Sequence, residues 1–221
     1  CGAWLARLSV CSGIPCDPDR KTPTVTRTSP RLQQVRNVLR TLGLDAFLIS
    51  SPENRTYLSG FTGSAGYLLI SQKDAVLVTD FRYLDQASDQ SPLFRIERIE
   101  GNFRWFSKLA SELSVNKIGF EAQDMTVSDH CAIQKALSNP DKPNQLSLIE
   151  TSNAINMMRT VKYQEEMECL IRAIEITDQS FDEITPLIKV GMTERWVAWE
   201  LEKAMRERGS DGLAFDIIVG A

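Results

Sequence analysis

The hydrophobic pattern becomes regular at Pro30, where apolar residues begin to recur every three or four positions. This spacing predicts a helix with one apolar face, and Gly43 marks its C-terminal end. Residues 45–49 are then almost continuously apolar, which predicts a buried strand that Pro52 ends. The apolar face of the predicted helix consists of Leu32, Val35, Leu39 and Leu42.

A glycine-rich stretch, residues 57–66, follows the first predicted strand. Its three glycines stand three residues apart, which predicts a loop whose backbone turns tightly and approaches another surface without a Cβ in the way. Residues 67–70 and 75–79 are two short apolar runs joined by four polar residues, as in a β-hairpin. Because the second run leads directly into Arg82, the sequence predicts that this arginine and the glycine loop lie at neighbouring ends of one sheet.

Strand-like and helical segments alternate through the rest of the region that ends at residue 150. This alternation predicts an α/β domain, with a mixed or parallel sheet flanked by helices. The predicted strands are residues 94–97, 117–120 and 145–149, and the predicted helices are residues 84–90, 105–113 and one beginning at 126.

The pattern changes after residue 151. Residues 162–184 show the spacing of a long amphipathic helix, and a second helix is predicted from Thr193 to Gly209. Residues 215–219 are apolar and predict a strand. Two helices and one strand cannot enclose a core of their own, so residues 153–221 are predicted to be the incomplete beginning of a second domain.

Residues 1–29 show prolines, serines and threonines but little periodic hydrophobicity. We predict that they are disordered or leader-like, and that order starts at Pro30. The chain begins with Cys1, and it ends at Ala221 directly after an apolar run. Both ends therefore predict a fragment of a longer protein.

The composition and charge of the chain limit the kinds of partner and the compartment that we expect for the protein. The 221 residues carry a net charge of -4 and a pI of about 5.2, which argues against nucleic-acid binding. No apolar run approaches the roughly 18 residues that cross a membrane. The five cysteines are an odd number without paired spacing, which indicates a reducing compartment and predicts a cytoplasmic protein.

The sequence offers no convincing catalytic or metal-binding group. His130 is the only histidine, and it falls inside a predicted helix without a recognisable nucleophile pattern. A surface position is the favoured interpretation. The carboxylates of residues 162–184 are typical of a solvated helix face rather than of a metal cluster. We therefore assign neither catalytic nor metal-binding residues in this chain.

Two interpretations of Arg82 remain open. In the first, Arg82 forms a surface ion pair with Asp80 or Asp85. In the second, the sheet holds the arginine at a binding edge and directs it toward a carboxylate, whose two oxygens match the donors of a guanidinium.

Four stretches, taken together, carry a family resemblance. Residues 57–66 read Tyr-Leu-Ser-Gly-Phe-Thr-Gly-Ser-Ala-Gly, and residues 79–83 read Thr-Asp-Phe-Arg-Tyr. Further on, residues 159–162 read Arg-Thr-Val-Lys, and residues 215–220 read Phe-Asp-Ile-Ile-Val-Gly. In this order they resemble the Xaa-Pro peptidases, the aminopeptidase P and prolidase group of pita-bread metallopeptidases.

The resemblance implies a fold for each part of the chain. Residues 31–150 are expected to form a creatinase-type N-terminal domain, with a mixed sheet flanked by helices. Residues 153–221 are expected to form a linker helix and the truncated start of an α+β pita-bread domain.

The resemblance also implies an activity, hydrolysis of the peptide bond before proline in short proline-containing peptides. The family uses two divalent metal ions, usually manganese, on two aspartates, one histidine and two glutamates. All five ligands are expected beyond Ala221, and neither His130 nor Asp216 matches one of them. The fragment alone is therefore expected to bind no metal and to be inactive, and the full protein is expected to be a homodimer.

Within the chain, the resemblance implies that Arg82 contacts substrate, with Phe61, Thr62 and Ser64 as further substrate-binding candidates. Phe81 departs from the family pattern, since many relatives have glycine there, and its bulk could change how Arg82 is directed. Two alternatives share the fold. One is a creatinase-like, metal-free hydrolase of a C–N bond, and the other is a non-catalytic relative that serves binding or oligomerisation.

Overall fold

The computed structural model describes residues 24–100, 103–137 and 146–220. It divides between Val161 and Lys162 into two compact units. Residues 1–23 of the segment predicted to be disordered or leader-like lie outside the described residues. The prediction that order starts at Pro30 is wrong, because the first helix already begins at Thr24 and contains Pro30.

The N-terminal domain, residues 24–161, contains six helices and six strands among its described residues. Its helices are α1 Thr24–Leu42, α2 Pro52–Ser59, α3 Leu84–Gln90, α4 Arg104–Glu112, α5 Val127–Leu137 and α6 Ala154–Thr160. Its strands are β1 Ala46–Ile49, β2 Tyr67–Ser71, β3 Ala75–Thr79, β4 Arg95–Arg98, β5 Lys117–Glu121 and β6 Ser147–Thr151. A short 3-10 turn, Phe81–Tyr83, joins β3 to α3.

The six strands form one mixed sheet in the order β4-β3-β2-β1-β5-β6. Strands β1, β2 and β3 are antiparallel neighbours, whereas β4 pairs parallel to β3, β5 parallel to β1, and β6 parallel to β5. The predicted α/β architecture and the predicted hairpin of β2 and β3 are both confirmed. Side chains of successive strand residues point to opposite faces, so each of the buried strands contributes to both faces of the sheet.

Both faces of this sheet are covered. On one face, helices α1, α2, α3 and α6 pack against strand residues such as Phe47 and Leu68. On the other face, helices α4 and α5 pack against Leu48 and Leu69. The burial of β1 to β3 on both faces explains why their sequences are almost continuously apolar.

Helix α2 was not predicted from the sequence. The Oγ of Ser51 caps its first turn by accepting a hydrogen bond from the N–H of Asn54, and Pro52 is the first helical residue. Gly60 ends the helix in the left-handed conformation, with φ of 80°. Residues 57–59 are therefore helical, and the glycine loop is shorter than predicted, covering residues 60–66.

The described part of the C-terminal unit, residues 162–220, contains helices α7 Gln164–Ile184 and α8 Glu194–Glu207, with a 3-10 turn at Thr185–Leu187. Both predicted helices are confirmed. The strand predicted at 215–219 is wrong, because a strand requires a hydrogen-bonded neighbour and residues 162–220 contain no other extended segment in a sheet. None of the helices in the described ranges combines the length and apolar character needed to cross a lipid bilayer.

Candidate functional site

The glycine loop and Arg82 lie at the same edge of the sheet. The loop, residues 60–66, leads into β2, and Asp80 follows β3 directly. Because β2 and β3 are antiparallel, with Tyr67 opposite Val78, the start of one strand lies beside the end of the other. The two segments are also joined by a hydrogen bond of 2.6 Å from Thr79 Oγ1 to the carbonyl of Ala65. The predicted neighbourhood is confirmed, and we call this region the loop edge.

Residues of the loop alternate between interior and surface. Thr62 and Ser64 are exposed, whereas the side chain of Phe61 is fully buried. The ring of Phe61 lies beneath Gly63, so closely that a Cβ on Gly63 would meet its Cζ atom at 2.2 Å. Of the predicted substrate-binding residues in the loop, two therefore face solvent and Phe61 supports the backbone from below.

Thr62 is connected to helix α3. Its backbone N–H donates to Oε1 of Gln90 at 2.9 Å, and its hydroxyl accepts a hydrogen bond of 3.0 Å from Nε2 of Gln86. Both glutamines are on α3, the helix that follows Arg82 in the chain. The loop is thus fastened to the same segment that holds the arginine.

Tyr83 forms the second connection, and it was not assigned to the site from the sequence. Its hydroxyl lies 2.8 Å from the Oγ of Ser64, and its ring meets the ring of Phe61 edge-on, with centroids 5.9 Å apart. The guanidinium carbon of Arg82 lies 5.2 Å from the centre of the Tyr83 ring. The signal available in the sequence was that Tyr83 directly follows Arg82. In the structure, the 3-10 turn directs the side chain of Tyr83 back toward the loop.

Arg82 forms the ion pair with Asp80 that the first interpretation predicted. Its Nε donates to Oδ1 of Asp80 at 3.1 Å and its Nη2 donates to Oδ2 at 2.6 Å. The side chain of Arg82 is nevertheless 57% exposed. The hydrogen bonds from Arg82 lower the pKa of Asp80, and the same contact raises the pKa of Arg82. The pair is charged at neutral pH and accessible to solvent.

Arg55, on α2, lies beneath the same loop. It is 2% exposed, and its two Nη groups donate to the carbonyl oxygens of Gly66 and Gly63, both at 2.7 Å. Burial lowers the pKa of the Arg55 guanidinium. This role was not predicted from the sequence, since an arginine in a polar segment is ordinarily a surface residue.

A second polar region lies at the carboxyl ends of the parallel strands β1, β5 and β6. Glu121 accepts hydrogen bonds there from the N–H groups of Ser50 at 2.7 Å and Ser51 at 2.8 Å, and from the side chain of Asn54. Burial raises the pKa of Glu121. This region contains a cavity with a volume of about 240 Å³. It is lined mainly by polar residues, including Glu53, Asn54, Glu121, Asp124, Asn156 and Arg159.

Asn54 fastens helix α6 beside this cavity. Its Nδ2 donates to Oδ1 of Asn156 at 2.9 Å, and its Oδ1 accepts from Nη1 of Arg159 at 2.9 Å. Helix α6, which was predicted to belong with residues 153–221, thus packs within the N-terminal domain.

The described residues do not fit a metal site. Within residues 24–100, 103–137 and 146–220, no group of three or more His, Cys, Asp or Glu side chains is arranged to hold a metal ion. His130 lies on α5 as predicted, with its ring centre 5.2 Å from that of Phe120.

Comparison with family models identifies the class. Residues 31–161 match the creatinase/prolidase N-terminal domain, and residues 168–221 match metallopeptidase family M24. The chain therefore belongs to the creatinase/prolidase family of M24 metallopeptidases, as the resemblance predicted. Membership of this family implies divalent metal ions.

Individual relatives agree with this assignment. The uncharacterised peptidase YqhT of Bacillus subtilis (strain 168) is 34% identical over 192 residues, which cover 86% of this chain and 53% of that protein. An Xaa-Pro dipeptidase from Bacillus anthracis is 33% identical with a TM-score of 0.79, covering 86% of this chain and 52% of that one. The chain thus spans about half the length of these relatives.

A third relative corresponds to the N-terminal domain alone. The N-terminal domain of the cytoplasmic peptidase PepQ from Mycobacterium tuberculosis H37Rv is 36% identical with a TM-score of 0.54. The match covers 59% of this chain and 98% of that one. A creatinase-type domain of this kind has therefore been crystallised separately from a peptidase domain.

Proposed function

We propose that the protein is an Xaa-Pro peptidase, which hydrolyses the peptide bond before proline in short peptides. The observation that carries this proposal is the succession of a creatinase/prolidase N-terminal domain and an M24 segment along one chain. The names of the Bacillus anthracis dipeptidase and of other relatives support it. Neither nucleic acid nor a membrane is part of the proposal.

The chemistry of the substrate explains why a dedicated enzyme is needed. The bond before proline is a tertiary amide without an N–H, and the ring of proline fixes φ. Peptidases that recognise an extended backbone by its hydrogen bonds therefore bind it poorly. A pair of divalent metal ions would supply an activated water and polarise the carbonyl without that N–H.

We assign the metal ions, proposed to be two manganese ions, to sequence outside the described residues, because these residues provide no suitable ligand set. The described residues have a different proposed task, which is to bind substrate. The catalytic step is assigned to none of them. We further propose that the full protein is a cytoplasmic homodimer, as the resemblance and the cysteine pattern suggest.

At the loop edge, we assign substrate contact to Arg82, Thr62 and Ser64. Arg82 is exposed and presents a planar set of donors, which suits a peptide carboxylate. Asp80 occupies those donors in the free structure, so a substrate carboxylate would exchange with it. Phe61 contributes by supporting the loop, since its ring is fully buried.

The test is hydrolysis by the purified natural protein supplied with manganese. Xaa-Pro dipeptides, longer Xaa-Pro peptides and matched Xaa-Ala peptides would be compared, with and without a chelator. We expect cleavage of the proline peptides only, lost on chelation and restored by manganese. Chelator-resistant hydrolysis of a guanidino compound would instead support the creatinase-like alternative, and no hydrolysis at all would support a non-catalytic relative.

A further inference from the structure

We infer that Arg55 is a positioning residue, which fixes the conformation of the glycine loop and thereby the placement of its substrate-facing side chains. The inference rests on the proposed function for its link to substrate. Its structural part, that Arg55 determines the conformation of the loop, stands on the contacts of the N-terminal domain alone.

The environment of Arg55 is unusual for a charged side chain. A guanidinium that is 2% exposed normally binds a carboxylate, because burying an uncompensated charge is costly. The hydrogen bonds of Arg55 go to main-chain oxygens instead, those of Gly63 and Gly66. Its Nε is buried and has no hydrogen-bond partner within the part of the chain that the structure describes. Burying this charge is costly, and both of its hydrogen bonds go to one loop. The conformation of that loop therefore depends on Arg55.

Arg55 contacts the loop with a defined geometry. The two Nη groups of one planar guanidinium bind carbonyl oxygens three residues apart, both at 2.7 Å, and so set the distance between these two points of the loop. The guanidinium carbon lies 5.7 Å from the centre of the Phe61 ring, which fills the space under Gly63. Arg55 and Phe61 together form the floor on which the loop rests.

The backbone at Gly66 is packed so closely that it leaves no room for a side chain. This glycine has φ of +156°, and a Cβ there would lie 2.9 Å from the carbonyl oxygen of Val78 and 3.6 Å from Cδ of Arg55. The backbone therefore passes between β3 and the arginine side chain at a position that only glycine fits.

This floor is connected to the exposed residues of the loop. With Gly63 and Gly66 held from below, Thr62 reaches Gln90 and Ser64 reaches Tyr83. Tyr83 is the neighbour of Arg82 in the 3-10 turn. Arg55 is buried, so it contacts no substrate itself, and it acts through Thr62, Ser64 and the segment to which they bind.

Lysine cannot replace this arginine. A lysine ammonium is a compact point charge, whereas the loop requires two parallel donors spaced as in a guanidinium. In Arg55→Lys one of the two carbonyls loses its partner while the buried charge is kept. The substitution therefore tests the need for two parallel donors rather than the need for a positive charge.

The experiment has two readouts on the natural protein. Amide hydrogen exchange would follow Thr62, whose N–H is bonded to Gln90, with residues of β2 as an internal reference. We expect Arg55→Lys to accelerate exchange at Thr62 about tenfold while β2 is unaffected. Ser91→Ala is the control, because its hydroxyl, like the Nε of Arg55, is buried and has no hydrogen-bond partner among the described residues. Unchanged exchange at Thr62 in Arg55→Lys would overturn the inference.

The kinetic readout separates positioning from general damage. We expect Arg55→Lys to raise KM for an Xaa-Pro peptide about fivefold and to leave kcat within about twofold, because the loop binds substrate equally in the ground and transition states. An unchanged KM overturns the link to substrate. If the wild type cleaves no such peptide, the proposed function fails, and the exchange result alone decides whether Arg55 positions the loop.

A measurement on the wild type covers the case in which Arg55→Lys does not fold. Since each Nη group binds its own carbonyl, rotation of the guanidinium is hindered, and NMR of the labelled protein is expected to show separate Nη signals for Arg55. A single averaged Nη signal would overturn the inference.

Discussion

The N-terminal domain and the C-terminal unit bury their apolar residues to very different extents. In the N-terminal domain both faces of the sheet are covered, and side chains such as Phe47 and Phe106 are fully buried. In residues 162–220 only Ile176, Ser180, Ile184 and Ala204 are buried, whereas Phe181 is 58% and Trp199 62% exposed. The amphipathic pattern is equally clear in both regions. Hydrophobic periodicity therefore predicts that a helix forms, but a second layer of structure is needed to bury its apolar face.

Two phenylalanines, both in helices, test the contrast in burial between the units. Phe106 on α4 is fully buried and Phe181 on α7 is 58% exposed. We expect Phe106→Ala to lower the free energy of unfolding of the N-terminal domain by about 3–5 kcal/mol, since it leaves a cavity between helix and sheet. When both variants are made in the 221-residue chain, Phe181→Ala is expected to cost the C-terminal unit less than about 1 kcal/mol.

Because the two units need not unfold together, each effect should be measured locally, by native-state amide exchange in the unit that carries the substitution. Equal losses for the two variants would show that Phe181 is buried in solution and that the contrast between the units is wrong.

Carboxylates also differ in burial between the two units, and we expect a smaller effect on stability from them. Glu121 lies in the polar cavity of the N-terminal domain, and burial raises its pKa above that of the unfolded chain. The folded state therefore keeps its proton to higher pH. The resulting stabilisation is fully present below the pKa of the unfolded state and is lost as pH rises through the pKa of the folded state. Glu121→Gln should remove this fall, as measured by urea unfolding of wild type and variant across acidic to neutral pH.

In the C-terminal unit, Glu183 and Arg208 form an exposed ion pair. Glu183→Gln is the matched carboxylate variant, and at neutral pH we expect it to change the free energy of unfolding by no more than about 1 kcal/mol.

A pH profile of Glu121→Gln that coincides with that of the wild type would show that the carboxylate of Glu121 contributes nothing to the pH dependence.

The sequence predicted most of the N-terminal fold because its strongest signals are local. The hairpin of β2 and β3 follows from two apolar runs and a polar turn, and α3 ends before Pro92 as predicted. Helix α2 was missed because it is short and polar, although its Ser51 cap and Pro52 start are visible in the sequence. The strand predicted at residues 215–219 failed because apolar residues alone do not supply a partner.

The candidate site was predicted in part for a related reason. The loop and Arg82 adjoin consecutive antiparallel strands, so topology alone brings them together. The direction of each side chain could not be derived, and the structure places Phe61 inward. Arg55 was beyond sequence reasoning, because its partners are main-chain carbonyls that no residue type reveals.

The central claim is that the loop edge binds substrate through Arg82, and its most direct test is the kinetics of Arg82→Ala on an Xaa-Pro peptide in the natural protein. Arg95 offers a matched control, since it is also an exposed arginine in an ion pair, with Glu112, and it lies away from the loop. We expect Arg82→Ala to raise KM about tenfold with kcat nearly unchanged, the loss of a charge-assisted contact to substrate, and Arg95→Ala to match the wild type. Identical kinetics for the two variants would contradict the account, because Arg82 would then be only the partner of Asp80 on the surface.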